Sequence, residues 1–296
     1  MPSSSSAADP ASADVRLTGI HGPPAALELP AARRSMARLV RRLTVPVLVL
    51  VVWQGVVASG WVPRASLPSP AAVAEAWWVW IVGPVTPLAW YSGTWGLYVL
   101  MSLRRVAVGF VIAAGAGVGL GVLIGWYAAV EELFDGVINF MRAVPMTAWV
   151  PFAVFFFGIH ESAAVFLIAF GSFFPVVVNA AAGARQTPRI LIRAARMLGT
   201  RPRKLLVRVV LPSALPAIFT GLRVGLGLAW VLVIVAEMLA VQGGLGYALW
   251  SAYQFSRLDL ILAAIVSVGV LGLASDRLVS ALAGRALRWQ RGLTGF

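Results

Sequence analysis

The sequence has no cysteine, only two histidines, His21 and His160, and a single lysine, Lys204. The first absence removes disulfides, thiol nucleophiles and thiolate metal sites. Two histidines are too few for the usual histidine-based metal centre, so no metal site is expected. Acidic residues are scarce too: 11 Asp+Glu stand against 24 Lys+Arg, for a formal net charge of +13. Charge of either sign makes up only 12% of the 296 residues, about half of what a soluble domain carries. With 60% hydrophobic residues and a mean hydropathy of +0.87, the chain lacks the polar surface that keeps a domain dissolved. Its length suits about six membrane spans of ~20 residues with their loops.

The shortage of lysine has a second consequence. A P-loop needs Gly-Lys followed by Ser or Thr, so that backbone N–H groups and the lysine can hold phosphates. Lys204 follows Arg203 instead, so the chain has no ATP site of that kind. Nothing resembles a nucleophile triad or a paired acid–base site; the nearest pair, His160 and Glu161, falls on a predicted loop. The chain is therefore not expected to be an enzyme or to bind a cofactor. A basic excess can mark nucleic-acid binding, but a span-rich chain offers no groove-reading module. The arginines border apolar runs, where they act as topology signals and contacts to lipid headgroups.

What is present is a series of apolar runs. Residues 1–30 are rich in Ser, Ala and Pro and read as a disordered tail; they lack the short basic start and apolar stretch of a secretory signal. The tail is placed at 1–38, on the cytosolic side, and the membrane domain at 39–296. A basic cluster, Arg33, Arg34, Arg38, Arg41 and Arg42, precedes a first span from Leu43 to Ser59. Between about 60 and 97 lie six of the twelve tryptophans, Trp61, Trp77, Trp78, Trp80, Trp90 and Trp95. Tryptophan favours the membrane–water boundary, so Pro70 to Val82 is read as an interfacial helix on the outer face, or else as a buried plug. Five further spans are expected at 106–126, 139–158, 162–182, 214–240 and 258–284, for an all-α protein with six transmembrane helices.

Small residues mark packing faces. Gly117, Gly121 and Gly125 recur at four-residue spacing, and Gly221 and Gly225 repeat the device, which lets a neighbouring backbone approach. Glu237 is read as the one carboxylate deep within a span, with Arg104 or Arg105 as its partner. Intramembrane acids default to a functional reading, here a part of the outer gate, although a helix-end carboxylate bonded to backbone or interfacial water fits equally well.

The positive-inside rule sets the orientation. Between Gly183 and Pro212 there are eight basic residues, Arg185, Arg189, Arg193, Arg196, Arg201, Arg203, Lys204 and Arg208, and no acid. With six spans, this loop, the N-terminal cluster and Arg285, Arg288 and Arg291 share the cytosolic side, and both termini lie there. Arg104 and Arg105 go against the rule, at the outer end of the second span.

The loop itself predicts local structure. Thr187 can cap a helix with Pro188 in its first turn, and Gly199 suits the residue just past its C-terminus. Thr200 then caps a second helix whose apolar Leu205, Leu206, Val209 and Val210 interleave with Arg203, Lys204 and Arg208, as in a helix at the membrane surface. Pro212 and Pro216 are expected to break the chain before the next span. Ala194 and Ala195 would leave room for a partner.

The spacing of Ala194, Ala195, Gly199, Val209, Leu211 and Pro212 resembles the loop signature of binding-protein-dependent ABC importer permeases. Arg193 stands where that family has Glu. LPSPAAV at 67–73, SLRRVAVGF at 102–110, RAVPMTAWVPFAVFFFGI at 142–159, FFPVVVNAAAG at 173–183 and VAEMLAVQGGLGYAL at 235–249 are similar to its nitrate, sulfonate and taurine branch. The resemblance implies a type I importer permease fold in the bacterial inner membrane. It implies a permease pair, expected to be a homodimer, two ATPase subunits that hydrolyse ATP beneath it, and a solute-binding protein outside. Residues 183–212 would be the coupling loop, with Arg193, Ala194, Ala195, Leu198, Gly199, Thr200, Arg203, Leu211 and Pro212 at the ATPase. The solute would be a sulfonate, taurine, nitrate or similar anion. A motor-independent secondary transporter or channel is the alternative; it predicts paired half-helices or internal repeats, and neither stands out. An intramembrane enzyme would need the catalytic set the sequence lacks.

Overall fold

The computed structural model describes residues 31–61, 63, 67–83 and 91–288, with side chains from Thr44 onward. Most of the expected disordered tail, residues 1–30, lies outside the described residues, as do Arg64, Trp90 and Arg291. The described residues are helical, in two units, Met1–Gly55 and Val56–Phe296. The first unit holds most of α1 (Ala31–Ala58), which contains Pro46 and takes in residues 31–38 of the expected tail. Its apolar part, Thr44–Ala58, is about 22 Å long at 1.5 Å per residue, shorter than a ~30 Å hydrocarbon core.

The second unit begins with α2 (Pro70–Val82), where Ser69 Oγ accepts from the Ala72 N–H and Pro70 opens the helix. It packs against α11 (Leu258–Ala286). Trp80 is fully buried and donates through Nε1 to Thr94, while Trp78 on the opposite face is exposed. The core is made by three long helices: α3 (Trp95–Trp126), α6 (Glu161–Arg185) and α9 (Leu211–Leu239). Gly109 lies against Ile168, Gly117 against Val176, Gly121 against Ala180 and Gly125 against Ala184. This unchanging register means that α3 and α6 run parallel. Gly221 meets Pro175 and Asn179, and Gly225 meets Ser172, so α9 runs antiparallel to α6. The predicted glycine faces thus both lie on α6.

Two parallel neighbours require the chain between them to return. α4 (Ala128–Ala143) and α5 (Val150–Phe157) do so as a bent pair joined by a 3₁₀ turn at Met146–Trp149, with 92° between the two halves. The expected continuous helix at 139–158 is therefore broken. Pro145 has no N–H to donate and pushes Val144 into an extended conformation (φ −76, ψ 124). α10 (Leu245–Gln254) follows α9, and α11 returns beside both. Four helices are long and apolar enough to cross a membrane, or five counting the bent pair, among the described residues. The first expected span, Leu43 to Ser59, corresponds to the short apolar part of α1.

Two boundaries differ from expectation. α3 starts at Trp95 rather than 106, so Arg104 and Arg105 lie inside the helix. A charged pair looks like a helix end in sequence, but here ion pairing lets it be built in. Pro212 and Pro216 do not break the chain: Pro202–Leu239 is one 38-residue helical stretch. It passes through α8 (Pro202–Leu205) and a π turn at Leu206–Val210. Pro212 cannot donate to the Arg208 carbonyl, and the switch of hydrogen-bond register falls in the turn just before it.

Candidate functional site: the basic loop and the buried charge cluster

The parallel and antiparallel pairings give the unit two ends. One holds the C-termini of α3 and α6, the start of α9 and the basic loop; the antiparallel contacts of α11 with α9, Arg223 to Asp276 and Trp230 to Ser275, bring Arg285 and Arg288 there too. Arg185 pairs with Glu131 at 2.8 Å, which ties the start of α4 to this end.

In the loop, α7 (Arg189–Met197) ends as the sequence predicts. Gly199 has φ +72, its N–H donates to the Arg196 carbonyl and the Thr200 N–H to the Ala195 carbonyl. These two bonds form the Schellman arrangement. A side chain at Gly199 would meet nothing within 4 Å, so it is the backbone conformation, not space, that calls for glycine. The starts differ from expectation. Pro188 and Arg201, not Thr187 and Thr200, occupy the N-cap positions, without side-chain caps. Thr187 is buried instead, and its hydroxyl has no partner.

No residue of α7 is fully buried. Only Ile192 and Ala195 pack onto the body, against a cluster of Val122, Ala180, Ala184, Leu205, Val210 and Ala214. Arg193 and Ala194 are exposed, and Met197 and Leu198, at the tip, are 88% and 86% exposed. A helix of nine residues is too short to hold itself in water. The cap and two anchors fix it, and its largest apolar side chains face away from the body. Arg203 is exposed, Thr200 half-buried, and Leu211 and Pro212 are half-buried within the continuous helix.

The opposite end holds the charges. Glu237, fully buried, lies 2.8 Å from Arg105 Nη1 and has Ser102 Oγ 2.8 Å from both of its oxygens. Oε2 also accepts from the Gly246 N–H at 2.9 Å. Arg105 Nη1 donates to the Gly243 carbonyl at 2.7 Å, and Ser102 Oγ accepts from the Leu245 N–H at 2.9 Å. The cluster clamps the turn between α9 and α10 onto α3. That turn is glycine-dependent: Gly243 and Gly244 have φ +98 and +111, and a Cβ at Gly244 would collide with the Glu237 carboxylate. Of the two partners considered for Glu237, Arg105 holds it. Arg104 is 70% exposed and lies 3.5 Å from Glu161.

Beside the cluster opens a cleft of about 440 Å³ lined by Met101, Arg105, His160, Glu161, Val241 and Gln242, among others. Arg105 is only 2% exposed; its Nη2 lies 3.5 Å from Glu161, and its Nε is buried without a partner. Sequence reasoning missed Ser102, although it shares a helix face with Arg105 three residues on. It also missed Arg223 and Asp276, which pair bidentately at 2.8 and 2.9 Å inside α9 and α11. Asp276 is a second carboxylate within a span, so Glu237 does not stand alone. The signal was available, since both are charges inside apolar runs.

Residues 117–288 match the family described as "Binding-protein-dependent transport system inner membrane component". The chain is 35% identical to the nitrate import permease protein NrtB of a Synechocystis species, over 83% of this chain and 88% of that one. It is 32% identical to the putative aliphatic sulfonates transport permease protein SsuC of Bacillus subtilis, over 86% and 88% respectively. In fold it is similar to a chain from an inward-facing structure of the MetNI methionine ABC transporter, with a TM-score of 0.55, 19% identity, and coverage of 67% of this chain and 99% of that one.

Proposed function

From the premise that this chain belongs to the family of binding-protein-dependent transport system inner membrane components, we propose how its two ends serve import. It is a non-catalytic, multi-pass inner membrane permease of an ABC import system, which implies an ATPase and a solute-binding partner. The finer reading is that α7 is the coupling helix. One observation carries it: a capped helix holds Met197 and Leu198 almost fully exposed, next to the small Ala194. Exposed apolar tips on rigid supports are what a partner's groove takes as anchors. ATP is bound and hydrolysed by that partner, since Lys204 is in no P-loop.

In this reading closure of two ATPase subunits draws two loop helices together, and the long helices transmit the movement. The Arg185–Glu131 pair joins α6 to α4 at that end. A second, identical permease chain completes the path. The loop end, with Arg285 and Arg288, is cytosolic, and the cleft end faces the binding protein. The gate role of Glu237 becomes that of a clamp: buried, it holds the α9–α10 turn beside the cleft, and Arg104 and Arg105 give the entrance its positive charge.

The solute is a small anion of the nitrate or sulfonate kind. Arginines at the cleft support this reading, as do the nitrate and sulfonate relatives. Replacing Met197 and Leu198 together by Glu should reduce the co-purified ATPase at least about tenfold, with unchanged permease yield; undiminished recovery would contradict the docking assignment. Titrating the partner binding protein with nitrate, taurine and bicarbonate should give saturable binding of one, and binding of none would count against the anion reading.

A further inference from the structure

Arg223 and Asp276 sit where charge is least welcome. At 1.5 Å per residue, Arg223 is about 18 Å along α9 from Leu211 and about 24 Å from Leu239, and Asp276 is about 15 Å from the end of α11. Yet the pair is not enclosed: the Arg223 and Asp276 side chains are 51% and 35% exposed on the surface of the single chain. Charged groups within spans face a bundle interior or a water-filled cavity, not lipid tails. The residues one turn either side of Arg223 on the same face leave space above it. Thr220 is exposed, and a Cβ at Gly227 would meet nothing within 4 Å.

We propose that the α9 stripe Thr220–Arg223–Gly227 lines the aqueous translocation path, and that Arg223 is a mid-membrane contact for a small oxyanion. The choice of anion rests on the import reading above; the aqueous lining does not. Asp276 engages Nε and Nη2 of Arg223, which leaves Nη1 to donate to a passing anion. The fixed carboxylate offsets most of the guanidinium charge, so the hold is weak. A transport site needs that: strong enough to admit the ion and weak enough to release it.

The absence of native cysteine makes a direct test possible. Gly227→Cys, and for comparison Val111→Cys on an exposed apolar position of α3, are introduced in the assembled transporter in membrane vesicles. They are treated with membrane-impermeant anionic (sulfonatoethyl) and cationic (trimethylammonioethyl) methanethiosulfonates, with and without ATP. Gly227→Cys should react at least about tenfold faster than Val111→Cys in one of the two conditions, because the reactive thiolate needs water. Its anionic-to-cationic rate ratio should fall about tenfold with Arg223→Gln and rise about tenfold with Asp276→Asn. The double variant, which removes both members of the pair, should fall between them. A Gly227→Cys no faster than Val111→Cys would place the stripe in lipid or a dry contact and overturn the proposal, as would a ratio that none of these substitutions moves. These rates need no solute, so their failure leaves the anion-import reading standing, while failure of ATP-driven uptake with labelling intact counts against that reading alone.

Discussion

At the scale of single residues, Gly199 and Glu237 do different work for opposite reasons. Gly199 is surrounded by open space but held at φ +72, so Gly199→Val should cost about 1–2 kcal/mol of loop order. It should separate ATP hydrolysis from transport at normal expression. Gly199→Asn, which tolerates the left-handed conformation, should retain most coupling; the two rates measured side by side check this. Glu237 and Arg105 form a buried pair, so breaking it with Glu237→Gln or Arg105→Gln should lower stability by about 3–5 kcal/mol. Glu237→Met with Arg105→Met should recover much of that in thermal unfolding. A double-variant loss equal to the sum of the two single losses would mean that no such pair exists. Gly199 was legible in the sequence because a cap depends on local conformation alone. Ser102 and the Gly243–Gly246 turn were not, because their roles depend on a helix brought in from more than a hundred positions away.

At the scale of elements, packing against α6 decides which glycines matter. On α3, a Cβ at Gly121 would lie 2.5 Å from the Val177 carbonyl, whereas one at Gly119 would meet nothing within 4 Å. Gly121→Val should therefore cost about 1–3 kcal/mol by overpacking, and Gly119→Ala should be neutral or stabilising; unfolding temperatures in one lipid system compare them. The four-residue spacing made that face legible. The bend at Pro145 and the passage through Pro212 were not, because each proline offers the chain two solutions. One breaks the helix and the other shifts its hydrogen-bond register, and neighbouring helices select between them. The span expected at 139–158 likewise runs across the bend without revealing the 92° between its two halves.

At the scale of the whole molecule, the parallel register of α3 and α6 forces a return between them and so separates a basic loop end from a cleft end. Sequence patterning singles the loop out as the most basic stretch, and the fold adds that Arg285 and Arg288 share its end. The account stands or falls on what covers the tip of α7. The most direct measurement is photo-crosslinking from Leu198→Cys, carrying a benzophenone maleimide, in membranes of cells that make the whole transporter. The account predicts an adduct whose second component is an ATPase subunit with a Gly-Lys-Ser/Thr loop, lost when Met197→Glu is added. An adduct only with lipid or with another copy of this chain, or the same ATPase adduct with Met197→Glu present, would contradict it.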